Sequence, residues 1–130
     1  MLQLFTTSPL NIEAKNTITI YTDASSTLEG IGVGIGIVVI LPNGQISHQE
    51  TANIGVNQLV SNGELLGVTK AIEYASLTAK PGDKFKVYSN NQAGLFRLKT
   101  PSDSPGQACQ IRAIKATETL QSKGAEISLN

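Results

Sequence analysis

The stretch from Ile31 to Val39 constrains the fold most, because branched aliphatic residues alternate there with small ones. The aliphatic side chains fall on odd positions, and Gly32, Gly34 and Gly36 fall on even positions. A period of two residues predicts a β-strand, with one aliphatic face and one nearly bare face. A glycine face lets another backbone come near.

Two further strands flank this one. Residues 17–22 are rich in β-branched residues and predict a strand before it. Pro42-Asn43-Gly44 predicts a hairpin turn after it, because Asn and Gly tolerate positive φ. A polar strand over residues 45–54 then returns. The three strands together predict an antiparallel meander.

The rest of the chain alternates between helices and strands. Helical spacing over residues 61–77 places Leu65, Val68, Ile72 and Ala75 on one stripe. After a turn at residues 81–83, the pattern predicts a fourth strand over 85–89, a short helix over 92–98 and a proline-containing loop over 100–106. A helix over 108–121 follows, with Ile111, Ile114 and Leu120 as its apolar positions and Gly124 as its C′ residue. A last strand is predicted over 125–129.

The predicted order, β-β-β-α-β-α-α-β, indicates an α/β fold with a five-stranded mixed sheet flanked by helices. The 130 residues suit one domain. We interpret residues 1–15 as an N-terminal flank and residues 16–130 as the domain.

Composition narrows the functional classes. Ten basic residues balance ten acidic ones, so net charge predicts no polyanionic partner and weighs mildly against nucleic-acid binding. The single cysteine, Cys109, excludes an internal disulfide and a Cys/His zinc site. No signal peptide is evident in Met1–Leu10, and the longest apolar run is about half a membrane helix. We therefore expect an intracellular protein, nuclear or cytoplasmic, with no membrane partner.

Three polar residues stand at equivalent places in this order. Asp23 follows the first strand, Glu64 opens the first helix, and Asn90 follows the fourth strand. Because Asp23 and Asn90 both end strands, we predict that the first and fourth strands are adjacent and parallel, which would bring these side chains together. Oxygen ligands suit Mg²⁺, and two such ions about 4 Å apart would clamp a phosphodiester.

Each residue also has a simpler interpretation. Asp23 is a common turn residue. Ser61-x-x-Glu64 matches a capping box, with Glu64 at N3, and Asn90 after Ser89 matches an ordinary helix N-cap. These alternatives stay open on local grounds.

The amino-acid sequences of three short segments, taken together, resemble those of a known protein family. Residues 20–25 (IYTDAS), 62–68 (NGELLGV) and 87–93 (VYSNNQA), in this order around the glycine-rich strand, resemble ribonuclease H. More narrowly, they are similar to the ribonuclease H domains of non-LTR retrotransposon reverse transcriptases, including fungal ones. The resemblance spans residues 16–130 and implies a ribonuclease H-like fold.

That family uses four carboxylates to hold two Mg²⁺ ions and hydrolyse the RNA strand of RNA·DNA hybrids. The resemblance makes Asp23 the first ligand and Glu64 the second, while Asn90 stands where the family has Asp. The fourth carboxylate belongs beyond Asn130, near a final helix, so we expect a domain that is incomplete at its C-terminus. With two charges instead of four, we expect weak Mg²⁺ binding and little or no cleavage.

The resemblance also implies partners. Ser61, Asn62 and Gln92 match positions that contact 2′-hydroxyl groups of the RNA strand, although capping and solvated surface explain the same residue types. Without the last helix, an uncovered apolar patch would favour self-association.

Three functional hypotheses follow: an impaired ribonuclease H domain, a non-catalytic module of the same fold that binds hybrids, nucleic acid or protein, and an unrelated structural α/β domain. Hybrid binding with and without Mg²⁺ separates the first two.

Overall fold

The computed structural model describes residues 17–26, 32–54, 60–89 and 107–130. The predicted short helix over 92–98, the loop over 100–106 and the flank over 1–15 lie outside these residues. The described elements are, in chain order, β1 (Thr17–Ser26), β2 (Val33–Ile40), β3 (Ile46–Asn53), α1 (Val60–Thr78), β4 (Lys84–Ser89), α2 (Gln107–Ser122) and β5 (Glu126–Leu129).

The five strands form one mixed sheet in the order β3-β2-β1-β4-β5. β2 pairs antiparallel with β1 and β3, whereas β4 pairs parallel with β1 and β5. The predicted α/β fold is therefore confirmed, and so is the parallel pairing of the first and fourth strands. Their shared ladder ends where Thr22 lies opposite Ser89.

Local turn chemistry explains two of the connections. Gly44 has a φ of 89° and donates its amide to Leu41, which closes the predicted β2–β3 hairpin. Gly124 has a φ of 84° just after α2, as expected of a C′ glycine. Gly82, in the turn before β4, has a φ of 88° and donates its amide to the Gly124 carbonyl. The two turns therefore fasten the start of β4 to the start of β5.

The sheet has two unlike faces. Both helices pack on one of them, the helix face, where Ile20, Ile37 and Phe85 share a buried cluster with Val68 of α1 and Leu120 of α2. Because side chains alternate along a strand, the register assigns the intervening residues to the other side, the open face. No described helix packs there. The open face carries Thr19, Tyr21, Asp23 and Ser25 of β1, Gly34, Gly36 and Val38 of β2, Thr51 and Asn53 of β3, Lys84, Lys86 and Tyr88 of β4, and Glu126 and Ser128 of β5.

Among the described residues, the most tightly packed glycine lies in α1 and not in β2. A Cβ on Gly36 would meet nothing within 4 Å among the described residues, because this glycine points to the open face. Instead Gly63 of α1 is the tight position: a Cβ there would lie 2.7 Å from Val33 Cγ1 and 3.0 Å from Ala24 Cβ. The helix glycine therefore sets the distance between α1 and the sheet.

The helix α1 follows its sequence pattern, but α2 does not. Leu65, Val68, Ile72 and Ala75 of α1 are all buried, as predicted. On α2 only Leu120 of the expected apolar positions is buried, while Ile111 and Ile114 are 48% and 56% exposed. The buried side of α2 carries Ala113 and Ala116, small residues that let it pack closely on α1.

Neither described helix is long and apolar enough to cross a membrane.

Candidate active site

Asp23 lies inside β1 rather than in a turn. The strand continues to Ser26, four residues beyond the predicted end, and Asp23 pairs there with Gly36 of β2. The turn-residue interpretation is therefore wrong. Because Asp23 is one residue beyond the β1–β4 ladder, its exposed side chain stands on the open face at the carboxyl end of β4.

Glu64 reaches the same place from the helix face. It follows the first turn of α1, and its side chain is buried, with 3% exposure of the residue. Two glycines bring the helix near enough: Gly63 packs on Val33 and Ala24, and a Cβ on Gly67 would lie 3.5 Å from Thr22 Oγ1. This contact places the Glu64 carboxylate beside the backbone of β1.

One backbone amide joins the two acids. The Ala24 N–H donates to Asp23 Oδ1 at 2.9 Å and to Glu64 Oε1 at 2.8 Å. The two acceptor oxygens therefore cannot be farther apart than the sum of these distances, which is under ~6 Å. Carboxylates at that spacing can share one cation or border two ions about 4 Å apart.

The second oxygen of Glu64 holds the other strand. Glu64 Oε2 accepts a hydrogen bond from Ser89 Oγ at 2.9 Å, and Ser89 is the last residue of β4. The carboxylate thus links α1 to the paired ends of β1 and β4. Since each carboxylate oxygen can accept more than one bond, both oxygens keep capacity for a cation.

These contacts show that the Glu64 carboxylate has, among the described residues, hydrogen-bond partners other than the one that a capping box would give it. The helix begins at Val60, one residue before Ser61, and its first turn contains no acidic residue. The described hydrogen bonds of the carboxylate go to β1 and β4 instead. A purely local pattern in the sequence therefore gave the wrong partner for this side chain.

The other predicted site residues are only partly placed. The backbones of Ser61 and Asn62 form the first turn of α1, just before Glu64, but their side chains lie outside the description. Asn90 and Gln92 lie outside the described residues altogether. Within those residues, no group of three or more His, Cys, Asp or Glu side chains could hold a metal. The described donor set is the pair of carboxylates, Asp23 and Glu64.

An open groove of about 500 Å³ runs beside Asp23 on the open face. Gly34 and Gly36 form its floor, where a Cβ would meet at most one atom of the described part of the chain within 4 Å, the Ala52 carbonyl oxygen. Ser25 and Thr51 line it with hydroxyl groups. The glycine alternation therefore leaves space beside the exposed acid.

Sequence reasoning did not identify Ser89 or Gly63 as parts of this site. Ser89 could be placed only once β1 and β4 were paired, because its hydroxyl meets Glu64 across 25 positions of the chain. Gly63 carried one usable signal, a small residue directly before the helix acid. Thr22 Oγ1, buried without a hydrogen-bond partner among the described residues, gave no sequence signal.

Comparison with known proteins finds similarity to solved structures but not to family models or curated proteins. No protein-family model matches this sequence, and no curated protein matches it. Among solved structures, ribonuclease H1 from the archaeon Halobacterium salinarum NRC-1 superposes with a TM-score of 0.62 at 19% identity, covering 88% of this chain and 85% of that chain.

Two further structures agree. The N-terminal ribonuclease H domain of rv2228c from Mycobacterium tuberculosis gives a TM-score of 0.68 at 16% identity, covering 87% of this chain and 84% of that chain. LC11-RNase H1 in complex with an RNA/DNA hybrid gives 0.61 at 20% identity, covering 87% and 84%. With the mixed sheet, its strand order and the helices on one face, these likenesses show that the chain has a ribonuclease H-like fold.

Proposed function

We propose that this chain is a ribonuclease H-type domain, built for metal-dependent hydrolysis of the RNA strand of RNA·DNA hybrids, and strongly impaired in that activity. One observation carries the proposal. The carboxylates of Asp23 and Glu64 share the Ala24 amide at the paired ends of β1 and β4, as expected of a two-carboxylate cation site.

The cation we propose is Mg²⁺. Asp23 and Glu64 offer hard oxygen donors, one exposed and one buried, which fits this ion. A bound Mg²⁺ would lower the pKa of a water molecule and stabilise charge on phosphate oxygens. Asn90 would add only a neutral oxygen, so the site holds fewer negative charges than the four-carboxylate pattern. We therefore expect weak affinity.

The substrate we propose is the RNA·DNA hybrid. A protein of this fold, LC11-RNase H1, has been solved with an RNA/DNA hybrid. In support, the backbones of Ser61 and Asn62 lie in the first turn of α1, directly before Glu64. With Gln92, these are our candidates for contacts to the RNA 2′-hydroxyl groups. Such a role fits an intracellular protein, nuclear or cytoplasmic.

Metal binding tests the site directly. Titration of Mn²⁺ should give a weak but measurable affinity that Asp23→Asn lowers and Asn90→Asp raises, because these changes remove or add one negative charge. Glu118→Gln removes a charge from the exposed surface of α2 and serves as the matched control. Equal Mn²⁺ affinities in all four proteins would remove the carboxylate pair from the proposal.

Cleavage tests the activity. The native chain should leave a labelled hybrid essentially intact in Mg²⁺, and Asn90→Asp alone should recover little. Joining Asn90→Asp to a C-terminal segment that carries the fourth carboxylate should give cleavage of the RNA strand only, abolished by Asp23→Asn. If that protein folds, binds Mg²⁺ and leaves the RNA intact, the ribonuclease proposal is wrong.

A second function is favoured by the contacts of Glu64. Both of its oxygens already accept hydrogen bonds that tie α1 to β1 and β4. A carboxylate with this architectural role can persist in a non-catalytic module that binds hybrids, other nucleic acid or protein. Hybrid binding of equal strength with and without Mg²⁺ would support this second function.

A further inference from the structure

The open face carries an aromatic pair that the proposed hydrolase function does not use. Tyr21 of β1 and Tyr88 of β4 lie opposite each other in the parallel ladder, and their rings stack with centroids 5.3 Å apart and planes 22° apart. Tyr88 is half-buried, whereas Tyr21 is 49% exposed. These are two of the three tyrosines in the chain. An aromatic surface that is partly exposed to solvent therefore lies at the centre of the sheet.

Two lysines lie to one side of the pair and an open space lies to the other, with the Asp23 carboxylate two residues along β1. On β4, Lys84 and Lys86 precede Tyr88 at alternate positions of the same face, and neither makes an ion pair with the described residues. On β2, Val38 lies opposite Tyr21, and the next open-face position is Gly36, where there is no side chain. The Tyr21 ring thus lies between two lysines and a glycine-lined groove.

This combination fits unpaired nucleotides. Every base has a π-face, so stacking on tyrosine is tolerant of sequence and is strong when the ring is already held in place. Lysines spaced along a strand suit the backbone phosphates. A duplex offers its bases no free faces along its length, so the aromatic pair selects a single strand. The neutral net charge of the chain makes stacking, rather than long-range attraction, the main source of affinity.

We propose that the open face binds single-stranded nucleic acid, with a base stacked on Tyr21 and a phosphate contacted by Lys86. The site lies on the same face as Asp23, two residues along β1. Binding at this site does not depend on a metal ion or on hydrolysis, so it can be tested independently of the ribonuclease proposal.

The experiment uses fluorescein-labelled 12-nucleotide oligothymidine, with fluorescence anisotropy measured at low salt and without divalent ions. Tyr21→Val keeps a strand-forming residue but removes the ring, and it should weaken binding about tenfold. Tyr21→Phe keeps the ring and should bind within about twofold of the native protein. Leu77→Ala, at an 80% exposed position of α1, is the control and should bind normally.

Two further measurements localise the contact. An abasic oligonucleotide of the same length should bind the native protein and Tyr21→Val equally, because it has no base to stack. Lys86→Ala should weaken binding and reduce the salt slope by about one, whereas Lys115→Ala on α2 should not. Circular dichroism of each variant establishes that it is folded.

Two results would overturn the proposal. The first is a folded Tyr21→Val protein that binds oligothymidine as tightly as the native one. The second is a native protein that sediments as a dimer and becomes monomeric on Tyr21→Val, with no change in oligonucleotide affinity. In that case a second copy of the chain, and not nucleic acid, covers the open face.

Discussion

The two faces of the sheet have different roles, although neighbouring residues of the same strand contribute side chains to both faces. On β1, Ile20 is fully buried among the helices, while Tyr21 is 49% exposed on the other side. Two positions later, Asp23 is exposed and Ala24 is buried. The helix face therefore determines stability and the open face offers chemistry. The Ala24 amide joins them, because it binds one acid from each side.

The largest expected difference between the faces is in core packing. Ile20→Ala should lower the free energy of unfolding by roughly 2–5 kcal/mol, because it leaves a cavity beneath α1. Tyr21→Val, one residue away on the open face, should cost less than about 1.5 kcal/mol, since it removes mainly a partly exposed ring pair. Urea unfolding of both variants measures the contrast. Equal losses would mean that the open face is covered in solution.

Glycines on the two faces should respond in opposite directions. Gly63→Ala should destabilise the protein by about 1–3 kcal/mol, because its Cβ would collide with Val33 and Ala24. An alanine at Gly36 would meet none of the described residues within 4 Å, so Gly36→Ala should be neutral or slightly stabilising, since it also reduces the freedom of the unfolded chain. Thermal unfolding of the two variants compares them. A neutral Gly63→Ala would show that α1 can move away from the sheet at little cost.

The two acids should separate stability from metal binding. Glu64→Gln should cost about 1 kcal/mol, because an amide can still accept from Ala24 but must meet Ser89 differently. It should also lower Mn²⁺ affinity. Asp23→Asn should lower Mn²⁺ affinity with almost no change in unfolding, since its side chain is exposed. A Glu64→Gln protein with native Mn²⁺ affinity would make Glu64 purely architectural.

The smallest effect concerns the link between the helices. Arg112 of α2 donates two hydrogen bonds to the Glu73 carboxylate of α1, at 3.0 and 2.6 Å. That hydrogen-bonding, aided by the charge of Arg112, holds the pKa of Glu73 below its ordinary value despite partial burial. The stabilisation is therefore complete above the ordinary carboxyl pKa and is lost as pH falls through the lowered one. Because both side chains are more than a third exposed, it should be less than about 1 kcal/mol.

Unfolding free energies measured against pH check this sign. The difference between the native protein and Glu73→Gln should be largest near neutral pH and shrink in acid, and added salt should reduce it. Glu118→Gln, at an exposed position of α2, is the control and should show no such trend. A difference that grew in acid would contradict the assignment.

Local patterns predicted the elements well, for a physical reason. Alternation over β2 and the stripe on α1 record which residues must leave water, and burial follows the same periods in the structure. Gly44 and Gly124 marked turns because positive φ is costly for other residues. The neighbouring positions of β1 and β4 were predicted from the strand-end positions of Asp23 and Asn90. The segment around Asn90 and Gln92 lies outside the described residues, so the predictions there stay predictions.

The sequence by itself thus determined the strands, the helices, the mixed sheet and two acids near the ends of β1 and α1. Only the tertiary structure decided that Glu64 binds Ala24 and Ser89, that α2 buries alanines and exposes Ile111 and Ile114, and that Tyr21 stacks on Tyr88. The reason is how far apart in the sequence the contacting residues lie. Periodicity and turn chemistry act within a few residues, whereas these contacts join positions 25 to 67 apart. They exist only after parallel pairing and helix packing have set the distances.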